Sequence, residues 1–227
     1  MEEKQVSGAE SPAVGWFSLI RLRNSGGAAE RLARTCQEGY AMHQLIWRLF
    51  PGEKERRFLY RTMDRGEDPA CYVVSALEPQ DTEEIWHVQS RPYHPRLQVG
   101  DRMTFALRAN PVVARKTPGS RSVRHDVVMD AKKRAAQSNG VGDFVDLSGK
   151  EWLESRAVQN GFRVDSVAVE GYRQHRLRGR NGEIRFSTLD FEGGLTVTDQ
   201  DLFRRSLWMG IGPAKGFGCG LILIKRR

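Results

Sequence analysis

Apolar residues alternate with polar ones in some stretches and recur every three to four positions in others. These two periods mark strands and helices along the 227-residue chain. Trp16 to Leu22 (WFSLIRL) predicts a short strand, ended by Gly26-Gly27. Ala28 to Phe50 carries helical periodicity and stops at Pro51-Gly52. Strand patterns follow at Phe58 to Met63 and Cys71 to Leu77, then a weaker segment at Glu83 to Val88 and a strand at Met103 to Leu107. That order is close to the β-α-β-β-α-β order of a ferredoxin-like domain, which RRM domains share.

The second half reads in the same way. A strand at Pro111 to Lys116 leads through a basic segment to a helix over Gly149 to Gln159, and Val164 to Glu170 returns as a strand. Tyr172 to Arg178 and Glu183 to Leu189 flank Gly179-Arg180-Asn181-Gly182, the pattern of a hairpin with Asn-Gly at its tip. Leu195 to Thr198 is a further short strand. Asp199 or Asp201 caps a helix running to about Met209, and Leu221 to Lys225 closes the chain as an apolar strand. The expected fold class is α+β, with two tandem ferredoxin-like (RRM-like) domains over residues 16–110 and 111–227. A flexible polar leader is expected over residues 1–15. No sequence repeat supports this division, which rests on the order of elements alone.

Composition narrows the class. With 39% hydrophobic and 28% charged residues, 23 Gly and 9 Pro, the chain is an ordinary globular protein. No window approaches the ~18 uninterrupted apolar residues that a spanning helix needs. The opening MEEKQVSGAESPAVG lacks the charged-then-apolar pattern of a signal peptide. A cytoplasmic protein with no membrane partner is expected. Cys36, Cys71 and Cys219 lie far apart and form no C-x-x-C pair. His87, His94, His125 and His175 share no ligand spacing with Cys, Asp or Glu, so neither a metal nor a small-molecule cofactor is expected.

Charge points to the partner. Lys plus Arg number 36 against 28 Asp plus Glu, a net charge of +8, which favours anionic partners such as nucleic acid. One basic run extends from Arg108 through Lys116, Lys132 and Lys133 to Arg134, opposed only by Asp126 and Asp130. A second holds Arg173, Arg176, Arg178, Arg180 and Arg185, with His175 among them and only Glu183 against it. A solvated surface explains either run alone. Two Arg-heavy runs favour phosphate, whose oxygens match the guanidinium fork.

Chemistry concentrates on the first long helix. At about 100° per residue, Ala41, Met42, Leu45, Ile46, Leu49 and Phe50 fall on one half of the helical wheel, the expected buried stripe. Tyr40, His43 and Trp47 share an arc roughly 60° wide on the other side. A lone helical histidine is usually structural, but Tyr40 and His43 at i and i+3 can meet one ligand. RNA carries its own nucleophile, the 2′-OH. Scission then needs a base for that proton, an acid for the 5′-oxygen and cations for the phosphorane. An imidazole serves either proton role near neutral pH, a tyrosine hydroxyl orients, and a nearby Lys or Arg stabilises developing charge.

The tail from Gly210 to Gly220 (GIGPAKGFGCG) surrounds Lys215 with glycines. It matches neither G-x-G-x-x-G nor the Walker loop. It is either a loop whose bare backbone approaches a phosphate, with Lys215 as a point charge, or a tight helix-to-strand connection.

Four segments, Tyr40 to Pro51, Val99 to Pro111, Phe191 to Val197 and Gly210 to Leu221, together resemble the CasE family, the endoribonucleases that process CRISPR precursor RNA in type I-E systems. The resemblance implies two tandem ferredoxin-like domains and metal-independent cleavage at the 3′ base of the repeat stem-loop, leaving a 2′,3′-cyclic phosphate. It also implies that the nuclease stays on its CRISPR repeat RNA hairpin beside other Cascade subunits. By the same resemblance the catalytic histidine is His43, the tyrosine Tyr40, the basic residue further along the helix Arg48 and the glycine-loop lysine Lys215. The basic hairpin that enters the RNA stem falls on Arg173 to Arg185. The leader ahead of Trp16 departs from the family, which usually starts at its first strand. The rival reading is a non-catalytic RNA-binding subunit with two RRM-like domains, in which Tyr40 and Trp47 stack on bases.

Overall fold

The computed structural model describes residues 15–23, 39–63, 70–115, 123–137, 143–179 and 182–227. Strands β1 (Gly15–Leu22), β2 (Phe58–Thr62), β3 (Ala70–Ser75) and β4 (Trp86–Tyr93) form a first sheet in the order β2-β3-β1-β4, every neighbour antiparallel. Helix α1 (Gly39–Trp47) covers one face. Its Met42, Leu45 and Ile46, with Leu49 and Phe50 beyond it, pack on Ile20, Val73 and Trp86. This is the ferredoxin-like strand order without the second crossover helix. Between β3 and β4 the Asp81 carboxylate accepts from the backbone N–H groups of Ile85 at 3.2 Å and Trp86 at 2.7 Å, closing a turn where a helix would need those donors. The weak segment at Glu83 to Val88 therefore runs straight into β4, an edge strand that tolerates Pro92.

The second half opens with β5 (Arg102–Ala109). A separate two-stranded ribbon follows, β6 (Val112–Arg115) with β7 (Val123–Asp126), and then α2 (Val127–Gln137) and α3 (Phe144–Ala157). Asp143 caps α3, accepting from the N–H groups of Val145 and Asp146, so this helix starts five residues before the predicted Gly149. Strands β8 (Phe162–Gly179) and β9 (Gly182–Val197) make one long hairpin, with register shifts at Val164/Ser166 and Glu170/Arg173. Helix α4 (Gln200–Met209) and β10 (Ile222–Arg226) follow. Of the two candidate caps, Asp199 serves: its Oδ1 accepts from Asp201 and Leu202, both at 2.9 Å. The sheet order is β10-β5-β9-β8, a second ferredoxin-like arrangement.

Two strands differ from their expected places. The strand read at Met103 to Leu107 as the close of the first unit is β5, a central strand of the second sheet, where Leu107 pairs with Ile222 and Phe191. The strand read at Pro111 to Lys116 as the opening of the second unit is the ribbon strand β6, outside both sheets. The chain thus changes sheet between Tyr93 and Arg102 rather than near residue 110. The apolar alternation of Met103, Phe105, Leu107 and Ala109 fits a face of either sheet, and only its partners distinguish them. Most of the expected leader, residues 1–14, lies outside the described residues, as do the start of the first long helix and Cys36. Among the described residues no helix is long and apolar enough to cross a membrane.

The sheets meet through a small apolar cluster of Leu59, Val74 and Leu221, with Tyr93 and Trp208 against it. Trp208, near the end of α4, lies against the backbone of Gly15, where a Cβ would collide with the indole ring. Beside this cluster Asp190 of β9 accepts from Arg108 at 2.9 and 2.8 Å and from Arg61 of β2 at 3.3 Å, so one carboxylate ties both sheets together.

Candidate active site

The wheel expected for α1 is the one observed. Met42, Leu45, Ile46, Leu49 and Phe50 are buried, whereas His43 and Trp47 are half-buried on the neighbouring arc. Tyr40 lies in the first turn of the same helix, with its side chain outside the described residues. The His43 ring sits edge-on to Trp47 with centroids 5.7 Å apart and is tilted against Phe58 at 6.3 Å. Its Nδ1 is buried with no hydrogen-bond partner among the described residues.

The glycine-rich tail folds over this histidine. Positive φ at Gly210, Gly212, Ala214, Gly218 and Gly220 lets the chain between α4 and β10 double back, and Lys215–Phe217 forms a 3₁₀ turn at its centre. A Cβ on Gly216 would stand 3.5 Å from His43 Cε1, so a longer side chain there would press into the imidazole. Tyr60 of β2 holds the turn in place, its hydroxyl donating to the Gly216 carbonyl at 2.9 Å. A ladder of rings ties the turn to the long hairpin. Phe217 stacks on Phe186 at 5.1 Å, Phe186 on His175 at 4.7 Å, and His175 Nε2 meets Thr188 Oγ1 at 2.9 Å.

Electrostatics separate this group from the rest of the surface. Burial lowers the pKa of His43, and the nearby positive charge of Arg56 lowers it further. Lys215 is lowered for the same two reasons in the same order, and burial lowers Arg56 itself. Arg56 Nη1 is also buried with no hydrogen-bond partner among the described residues. The result is a neutral imidazole beside two cations that have no carboxylate between them among the described residues. No group of three His, Cys, Asp or Glu side chains that could hold a metal ion occurs among the described residues.

The residues singled out from the sequence divide on this geometry. His43 and Lys215 come together. Arg48, five residues past His43 and about 140° further around the helix, points elsewhere and pairs with Glu83 at 3.0 Å. Arg108 is engaged by Asp190, its cross-strand neighbour on β9, and reaches Thr62 Oγ1 of β2 at 3.4 Å. His175 serves in the ring ladder, and burial lowers its pKa, with Arg108 and Arg173 adding to the shift. Arg173 and Arg176 are exposed on the hairpin, and Lys132 and Lys133 are exposed on α2, Lys132 Nζ lying 6.0 Å over the Tyr172 ring. Lys116, Arg180 and the Arg178 side chain lie outside the described residues. Sequence reasoning missed Arg56, Tyr60, Phe186 and Phe217. The one signal for Arg56 was a basic pair, Arg56-Arg57, immediately before a strand.

Comparison with known proteins agrees with this architecture. The family described as CRISPR associated protein matches residues 16–226. The CRISPR system Cascade subunit CasE of Escherichia coli (strain K12) is 31% identical over 192 residues, 81% of this chain and 89% of that protein. The CRISPR-associated endoribonuclease Cse3 of Thermus thermophilus is 28% identical over 92% of this chain and 99% of its own length. Among solved structures, Thermus thermophilus Cse3 bound to an RNA representing a pre-cleavage complex superposes with a TM-score of 0.69 at 26% identity, covering 93% of this chain and 98% of that one. The Escherichia coli protein Cas6e superposes with a TM-score of 0.67 at 25% identity, covering 93% and 100%. With its two tandem ferredoxin-like domains and a match over nearly its whole length, the chain belongs to the CasE family of CRISPR-associated proteins.

Proposed function

We propose that this protein is an endoribonuclease that processes CRISPR precursor RNA, cutting at the 3′ base of the repeat stem-loop and keeping the product as a Cascade subunit in the cytoplasm. The observation that carries the reading is the neutral, half-buried His43 beside Arg56 and the Lys215–Phe217 turn. A neutral imidazole is the form that accepts a proton, so His43 acts as general base on the ribose 2′-OH. The 2′-oxygen bonds to phosphorus, the bond from phosphorus to the 5′-oxygen breaks, and a 2′,3′-cyclic phosphate remains on the upstream fragment.

Arg56 and Lys215 balance the negative charge that grows on the phosphorane oxygens. Burial makes Lys215 a stronger acid than a free lysine, which suits it to protonate the departing 5′-oxygen. Tyr40, one helical turn before His43, orients the reacting ribose. No step in this scheme calls on a metal, and cleavage in EDTA at the rate seen without it is the expected result.

His43→Ala tests the assignment on a labelled repeat hairpin. Cleavage should fall by about 10²- to 10⁴-fold while hairpin affinity stays within a few fold. A 2′-deoxy substitution at the scission point should abolish cutting by the unaltered protein. Undiminished cleavage by His43→Ala would remove this residue from the chemistry, and intact, shifted RNA with the unaltered protein would favour the non-catalytic binding subunit.

A further inference from the structure

Between β8–β9 and the β6–β7 ribbon lies a cavity of about 470 Å³. His175 and Phe186 line it together with the neighbouring pairs Gln174/Ser187 and Arg176/Arg185. The Asp126 carboxylate in its wall is already engaged by the Met129 N–H and the Tyr172 hydroxyl. Asn110 and Pro213 complete the wall below, and Arg124 stands across from the hairpin on β7.

Two features of this cavity are unexplained by the fold. Asn110 and Ser187 are 7% and 4% exposed, and Asn110 Oδ1 and Ser187 Oγ are both buried without a hydrogen-bond partner among the described residues. Buried polar atoms are normally satisfied, and two orphans in one wall are an uncompensated cost in the empty protein. At the mouth, Arg124 and Arg176 are exposed and make no ion pair or hydrogen bond among the described residues, while Arg185 is engaged by Glu183 at 2.7 Å. The site therefore offers guanidinium forks outside and unused oxygens within.

We propose that this cavity is a nucleotide site, binding a phosphate between Arg124 and Arg176 and a base with an exocyclic amine, such as adenine, against Asn110 and Ser187. A cavity of 470 Å³ is large enough for one purine nucleotide. An amine donates to Asn110 Oδ1 and to Ser187 Oγ, whereas uracil presents a carbonyl at that position, which the Ser187 hydroxyl can engage and Asn110 Oδ1 cannot. The proposal rests on the RNA-processing reading for its ligand to be RNA. Its occupant is then an unpaired nucleotide of the RNA, held beside the ring ladder that joins the hairpin to the glycine loop. A free nucleotide carries the same chemistry.

The test is fluorescence polarisation with five-nucleotide oligo(A) and oligo(U) RNAs on the full chain. Oligo(A) should bind more tightly than oligo(U), and Arg124→Ala should weaken oligo(A) about tenfold. Ser187→Ala should weaken oligo(A) without lowering the melting temperature, because it removes an unsatisfied hydroxyl, and Asn110→Ala should erase the preference for A over U. A purely structural role for Ser187 predicts the opposite, lower stability with oligo(A) affinity kept. Displacement of oligo(A) by AMP assigns the site to a free nucleotide and retention assigns it to a strand; either supports the pocket. Equal binding of the two RNAs, or oligo(A) affinity unchanged in Arg124→Ala, overturns the proposal. Because the readout is binding, a protein that cuts no hairpin would sink the processing reading and leave this test intact.

Discussion

Two clusters of positive charge lie at the same pair of sheets and have opposite roles. At one, Arg61 and Arg108 converge on Asp190, and all three side chains are largely buried. At the other, Arg56, Lys215 and His43 converge with no carboxylate among them in the described residues, and burial drives the pKa of each downward. The first cluster is a strut, because both of its cations already share a carboxylate inside the protein. The second is poised for a ligand, because its cations have none among the described residues. The presence or absence of one acidic partner, more than the number of arginines, separates architecture from chemistry here.

The strut is the easier to break, and with the larger effect. Asp190→Ala would remove the carboxylate that two largely buried guanidinium groups share and should cost about 3 kcal/mol. Thermal unfolding should report this as a melting temperature lower by roughly 10 °C. A melting temperature within a degree or two of the unaltered protein would mean that the two sheets hold together without this carboxylate.

Lys215→Ala should behave in the reverse manner, leaving the melting temperature nearly unchanged and slowing single-turnover cleavage of the repeat hairpin by about 10²-fold. A comparable loss of hairpin affinity instead of rate would recast Lys215 as a binding contact. Arg48→Ala sharpens the contrast from the weak end. Its exposed pair with Glu83 is worth at most about 1 kcal/mol, and cleavage should change by less than about twofold. A large loss of rate in this variant would show that the helix face turned away from Lys215 also takes part.

What the chain discloses by itself follows the range of the interactions. Local periodicity was sufficient for α1, where the buried Met42, Leu45 and Ile46 and the half-buried His43 and Trp47 fall as the wheel predicts. It was sufficient also for the long hairpin, whose strands are close in sequence, and it narrowed the helix cap to Asp199 or Asp201, of which Asp199 serves. It failed for β5, because the choice between two sheets is made by Ile222, far along the chain. It failed in the same way for the cations at His43. The family resemblance offered Arg48, while the chain turns at Pro51-Gly52 and brings Arg56 back toward the histidine as β2 begins. Arg108 looked like a phosphate ligand for a related reason: its carboxylate partner sits 82 residues later.

The central claim is that His43 works as a neutral base whose proton affinity is lowered by burial and by Arg56. The pH dependence of single-turnover cleavage measures this directly, in the unaltered protein and in Arg56→Ala. As pH falls, the rate should decline only when His43 takes up a proton, so the midpoint of the acid limb should lie below the ordinary histidine value of about 6.5. Removing the Arg56 charge should raise that midpoint toward 6.5. An acid limb at or above 6.5 in the unaltered protein, or one that stays in place in Arg56→Ala, would contradict the account.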